Sequence, residues 1–232
     1  MEKRAKRKNT ANQPCSIFED RREAGRALAE RLLHYGGDQS VLLVALSPGG
    51  VIVGREIALS LCAPMVLFRS RKLPIPGNPK LSFGAMTEAG GICLLSDMIS
   101  RYEIPDRYIQ ETITSKKEEI LQRRRRFRKT SLGFDLGGRR VIVVDEGIAS
   151  GAVLFSALQW LRAEGAGHRI VALPVSPQAK LPRIKALSEE SLVLHPVPSF
   201  HSVECYYRRF DPVSDEAARA ILLTLNKRPL AA

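Results

Sequence analysis

Aromatic residues are scarce in this chain: they occupy 6% of 232 positions, with a single Trp. That leaves little for the interleaved stacking surface a base-binding protein needs. Cysteine is scarce as well. Cys15, Cys62, Cys93 and Cys205 form no C-x-x-C pair and have no His at ligand spacing. They read as reduced thiols of a cytoplasmic protein, not as a disulfide framework or a zinc site. No apolar run approaches the roughly 20 residues needed to span a bilayer. The first residues, MEKRAKRKNTANQP, are basic but lack the apolar core of a signal peptide. Acidic residues are outnumbered, 24 against 36 Lys and Arg, so the net charge is +12. Such an excess implies an anionic partner: the phosphates of a small substrate, nucleic acid, or both.

Two clusters carry much of that charge. One is the tail Lys3, Arg4, Lys6, Arg7 and Lys8; the other is Arg123–Arg126 with Arg128 and Lys129. The plain alternative is a disordered tail over residues 1–16 and a solvated helix end whose arginines suit the C-terminal dipole. Phe127 is the one aromatic within either cluster, too little for an interleaved base-stacking surface, so nucleic-acid binding is the weaker expectation.

The length predicts one folded domain, residues 17–228. Apolar runs alternate with helical periodicity throughout. Asp20 caps a helix over Arg21–His34, Val41–Leu46 is a continuous apolar strand, and Ser47-Pro48-Gly49-Gly50 is a loop before a helix over Val51–Cys62. Met65–Phe68 is a short strand. Three prolines within Leu73–Pro79 predict a long irregular loop that carries Arg71 and Lys72. Leu81–Met86 and Ile92–Leu95 read as a hairpin, and Pro105–Phe127 as a long helix. Further on come strands at Arg169–Leu173 and Ser191–Leu194, a loop at Pro174–Pro177, and a last helix over Asp215–Leu225. The pattern predicts an α/β fold: a doubly wound, mostly parallel sheet with a flexible hairpin as a hood over its C-terminal edge. That apolar hairpin makes a homodimer an expectation too.

The most informative stretch is Arg140–Val153. Val141–Val144 are four β-branched residues that read as a buried strand. Asp145 and Glu146 stand where it ends, then Gly147, Ile148, Ala149, Ser150 and Gly151 make a small-residue turn into a helix over Ala152–Glu164. Loop amides and a helix N-terminus can hold a phosphate, and adjacent acids can accept two neighbouring hydroxyls. A sugar phosphate asks for both. An ordinary strand-to-helix connection with a surface acid pair is the bland alternative.

This segment resembles the motif of the type I phosphoribosyltransferases that binds 5-phosphoribosyl 1-pyrophosphate (PRPP): four apolar residues, two acids and a loop of the form Thr-Gly-x-Thr. The resemblance implies that Asp145 and Glu146 hold the ribose hydroxyls, and that Gly147, Ile148 and the Ala149–Ala152 loop serve the 5′-phosphate. Ser150 keeps the first hydroxyl of the pattern. Val153 lacks the second, a loss of about 1.5–3 kcal/mol if that bond goes to a charged group. In the family the earlier loop binds pyrophosphate, so Ser47, Gly49 and Gly50 are implied there. Ser47-Pro48 replaces the Pro-Arg that similar proteins carry. The string Arg71-Lys72, Pro76 to Pro79 and Phe83-Gly84-Ala85 is similar to a poorly characterised bacterial subgroup of these proteins, which implies pyrophosphate contact for Arg71 and Lys72.

The implied activity is phosphoribosyl transfer from PRPP to a nitrogen acceptor, with Mg2+ bridging pyrophosphate and ribose oxygens; no residue is directly assigned to the metal, and Asp145 is a candidate ligand. Asp145, Glu146, Arg71 and Lys72 are the residues implied in catalysis. A second reading is a PRPP- or nucleotide-binding regulatory protein without turnover, its basic tail on nucleic acid. A weaker third has water as the acceptor. Within Pro196–Phe210, Phe200, Tyr206 and Tyr207 are candidates to stack on a planar acceptor, although packing is the commoner use of such rings.

Overall fold

The computed structural model describes residues 16–68, 70–87, 91–126 and 136–226. The basic tail, Cys15, and Arg128 with Lys129 lie outside these residues, as do the side chains of Arg123–Arg126.

Asp20 accepts from the N–H groups of Arg22 and Glu23, and α1 runs from Arg21 to Leu32. Strand β1, Val41–Ala45, is buried at every position. Helix α2, Pro48–Leu61, begins three residues before the expected Val51, because Ser47 caps it and Pro48 takes the first helical position. Gly49 and Gly50 therefore belong to a helical turn and not to a free loop. After β2, Met65–Leu67, the expected irregular loop is instead a strand, β3, Ser70–Ile75. The prolines are tolerated because Pro74 falls where the register with the next strand shifts on both sides, a bulge that needs no ladder donor. Gly77, at φ +71°, turns the chain into β4, Asn78–Thr87, and β5, Ile92–Leu94, completes an antiparallel sheet in the order β3-β4-β5.

Two helices follow: α3, Ser96–Arg101, unforeseen in the sequence pattern, and α4, Asp106–Arg126. Strand β6, Arg140–Val144, returns to the main sheet, and α5, Ala152–Ala163, packs beside it. Strand β7, His168–Pro177, continues through the expected Pro174–Pro177 loop. Its pairing with β6 ends at Ala172, so the missing N–H of Pro174 leaves no gap in that ladder. Helix α6, Leu181–Leu187, strand β8, Glu190–Val197, and helix α7, Asp215–Leu225, complete the chain.

The main sheet is parallel in the order β2-β1-β6-β7-β8. Alternate side chains feed opposite faces. Leu42, Val44, Val141, Val143, Val171 and Leu173 pack on α5 and α6, while Val41, Leu43, Ile142, Val144, Ile170 and Ala172 pack on α1, α2 and α7. The small sheet lays Ala85 and Cys93 on the α5 side and buries Leu73, Ile75, Phe83 and Met86 against α4. The chain leaves β1 toward one edge and β6 toward the other, so the strand order reverses between them. Ligands in open α/β sheets bind outside the strand ends at such a switch point. No helix among the described residues is long and apolar enough to cross a membrane.

Candidate functional site

Both segments singled out in the sequence meet at that switch point. Strand β6 lies between β1 and β7, which fixes the position of Asp145 and Glu146 beyond its end. Asp145 Oδ1 accepts from Ser47 Oγ at 2.5 Å and from the Glu146 N–H at 2.9 Å. Ser47 Oγ in turn accepts from the Gly50 N–H at 2.9 Å. The α2 cap and the first acid thus form one hydrogen-bonded chain. Burial pushes the Asp145 carboxyl up to about 7, reinforced by the negative Glu146 beside it. The bonds from Ser47 and the Glu146 N–H, and the positive field of Lys72, act the other way.

Close approach explains the two glycines. A methyl on Gly50 would stand 2.8 Å from Asp145 Oδ1 and 3.0 Å from its Cα, and one on Gly49 would collide with the Glu146 carboxylate. Glu146 pairs with Arg21 at 2.5 Å, and its carbonyl oxygen accepts from the Tyr207 hydroxyl at 2.5 Å. That phenol is held well above its usual pKa, first by burial and then by the charges of Glu146 and Asp145.

Beyond the acids the chain makes a cradle. Ile148 is tied to β7 through its N–H and the Val175 carbonyl, at 3.2 Å. Gly151 takes φ +78° as the residue before α5, with no side-chain cap on that helix. The N–H groups of Ala149, Ser150 and Gly151 have no protein acceptor among the described residues. The first turn of α5 adds the positive end of a helix dipole. Ser150 Oγ accepts from the Ala152 N–H at 3.4 Å, and Val153 packs its side chain on the core. An apolar side chain at 153 is thereby used in packing.

Strand β3 separates the two cations that the sequence places together. Lys72 pairs in register with Ala85, on the sheet face toward α5, and its charge reaches Asp145. Arg71 pairs with Met86, whose face packs on α4, and its Nη1 donates to the Ser70 carbonyl at 3.1 Å. Only Lys72 is brought to the acids.

The aromatic segment is used for packing. Tyr206 and Tyr207 are buried with Phe18 and Val175, and Phe200 stacks on Tyr206 with ring centroids 5.5 Å apart. The two tyrosines are not free to stack on an acceptor, which corrects that expectation. Arg21 is the residue that sequence reasoning missed: it reads as the first residue of a helix, and its partner is 125 positions away.

Comparisons with known proteins identify the family of the chain. The family described as the phosphoribosyl transferase domain matches residues 17–208. Two proteins provisionally named phosphoribosyl transferases, from two strains of Mycobacterium tuberculosis, are 37% identical to the chain over 207 residues, 89% of its length. The chain spans 46% of those relatives, about half their length. The crystal structure of the Thermus thermophilus protein TT1426 superposes with a TM-score of 0.69 at 34% identity, covering 90% of this chain and 98% of that one. With the family match spanning most of its length, the chain belongs to the phosphoribosyl transferase domain family.

Proposed function

We propose that the protein binds PRPP and transfers its 5-phosphoribosyl group to a nitrogen acceptor. The bond from C1 to the pyrophosphate oxygen breaks, the bond from C1 to the acceptor nitrogen forms, and pyrophosphate leaves with the electron pair. The 5′-phosphate would rest on the amides of Ala149 to Ala152 and the ribose diol on Asp145 and Glu146. The pyrophosphate would face Ser47, Gly49 and Gly50, with Lys72 on the open side. The observation that carries this reading is the pairing of two acids just beyond β6 with the amides of Ala149, Ser150 and Gly151, which have no protein acceptor among the described residues. The protein would contribute positioning and electrostatics, with the acids stabilising positive charge on the sugar.

Among the described residues no group of three or more His, Cys, Asp or Glu could hold a metal. Mg2+ is commonly held by one or two carboxylates together with substrate phosphates, and Asp145 with Glu146 fits that role. Bound there, it would neutralise charge on the departing pyrophosphate.

The competing reading is a regulatory protein that binds PRPP without turnover. Two observations favour it: Val153 offers no hydroxyl to a phosphate, and Arg21 already occupies the Glu146 carboxylate. Pyrophosphate release from PRPP and Mg2+ against a panel of purine and pyrimidine bases separates the two. Release with one acceptor supports the transferase, and binding without release across the panel supports the regulator.

A further inference from the structure

Arg21 is buried, its side chain 9% exposed. A cation is kept so far from water only where its charge is put to use. Its Nε donates to Glu146 Oε2 at 2.5 Å and its Nη1 to the Asp211 carbonyl at 2.9 Å. The guanidinium lies 3.8 Å over the Phe210 ring. Nη2 has no hydrogen-bond partner among the described residues. The same group reaches the N-terminus of α2, where a methyl on Gly49 would stand 3.0 Å from Nε. Spare donor capacity and the positive end of a 14-residue helix therefore share one place.

The charges around the acids sharpen the point. Asp145 is acted on by Lys72 from β3, and Glu146 is paired with Arg21 from α1. An anion brought to the start of α2 meets two carboxylates and needs a cation between itself and them. Lys72 is exposed, so solvent and salt screen it, whereas Arg21 is enclosed and its field is screened much less.

We infer that Arg21 recognises the leaving group: its guanidinium receives the diphosphate of the bound sugar at the N-terminus of α2, sharing with it the charge that Glu146 holds alone in the free protein. This rests on the PRPP reading of the site. It adds a specificity rule, because a sugar phosphate without the diphosphate has nothing to offer Arg21 and leaves the ion pair closed.

The test is titration calorimetry on the full chain with PRPP and with ribose 5-phosphate, for the wild type, Arg21→Met and Arg21→Lys. A hydrogen bond between charged groups of about 1.5–3 kcal/mol corresponds to roughly tenfold or more in affinity. Arg21→Met should therefore lose roughly tenfold or more for PRPP and less than about threefold for ribose 5-phosphate, with Arg21→Lys between the wild type and Met for PRPP. Equal losses for both ligands would mean that Arg21 acts only by holding Glu146, and no loss for either would mean it has no role; both overturn the inference while leaving the PRPP site in place. A folded wild type that does not bind PRPP removes the reading of the site, and the inference with it. Should Arg21→Met melt at the assay temperature, Arg21→Lys carries the comparison, and a loss no greater for PRPP than for ribose 5-phosphate overturns it.

Discussion

Ser47 and Asp145, 98 positions apart, are joined by a 2.5 Å hydrogen bond in which the hydroxyl that caps α2 also donates to the first acid of the site. The acid is thereby built into the fold as well as into the site, and its ionisation is linked to stability. In the folded protein Asp145 titrates at about 7, against an ordinary value of 3.8. A carboxyl raised on folding stabilises the protein fully below its unfolded value, and that contribution is lost as pH rises through the folded value. The window is therefore pH 4 to 7, with Glu146, Lys72 and Ser47 as the groups facing it. Asp145→Asn, which imitates the protonated form, should gain thermal stability over the wild type as pH rises from 5 to 8. Melting curves of the two proteins across that range check it, and a constant difference contradicts it.

The two glycines at the start of α2 should respond differently to a methyl group. At Gly49 the obstruction is the end of the Glu146 side chain, which can swing away, so Gly49→Ala should fold but release Glu146 from Arg21 and weaken PRPP binding. At Gly50 the obstruction includes the Asp145 Cα at 3.0 Å and the Val144 carbonyl at 3.2 Å, backbone atoms at the end of β6 that cannot swing away. Gly50→Ala should therefore cost more stability, about 1–3 kcal/mol by the usual scale of overpacking. Chemical denaturation of both variants checks the order.

Gly151 is held at φ +78°, and a methyl there would lie 2.6 Å from the Phe155 ring. The left-handed backbone alone costs a side chain about 1–2 kcal/mol. Gly151→Ala should lower the melting temperature by several degrees, since about 2–4 °C accompanies each kcal/mol in a domain of this size. It should also weaken ribose 5-phosphate binding, because the amides of Ala149 and Ser150 move with it. Calorimetry showing full affinity would separate the cradle from the phosphate.

Lys72 and Arg71 make a direct comparison. Lys72→Ala removes the cation whose field reaches Asp145, so PRPP affinity should fall and the Asp145 titration should move upward. Arg71→Ala, on the strand face toward α4, should leave both close to the wild-type values. Titration followed by NMR and PRPP calorimetry report the two effects, and a larger loss for Arg71→Ala would show that the strand presents its other face to the ligand.

Much of this arrangement is legible in the sequence where one residue type has one strong local use. Val141–Val144 followed by Asp145 and Glu146 reads as a buried strand ending in acids, because β-branched runs have few other uses. The small sheet is harder. Prolines at 74, 76 and 79 argue against a ladder, yet Pro74 sits at a bulge and Pro76 and Pro79 flank the turn at Gly77, so none removes a needed donor. The start of α2 is missed because Gly49 and Gly50 look like loop residues; they are helical, and small because acids distant in the sequence press on them. Arg21 is beyond local reading altogether. Nothing in Arg21-Arg22 says which arginine is buried, and only the fold brings the first to Glu146.

The central claim is that Asp145 and Glu146 hold the ribose of PRPP, and calorimetric titration of PRPP into the wild type and into the double variant Asp145→Asn, Glu146→Gln tests it most directly. Two charge-assisted bonds, each of about 1.5–3 kcal/mol, give way to neutral ones of about half that strength, which predicts a loss of affinity of at least about tenfold. Equal affinity of the two proteins would contradict the assignment of the acids to the sugar.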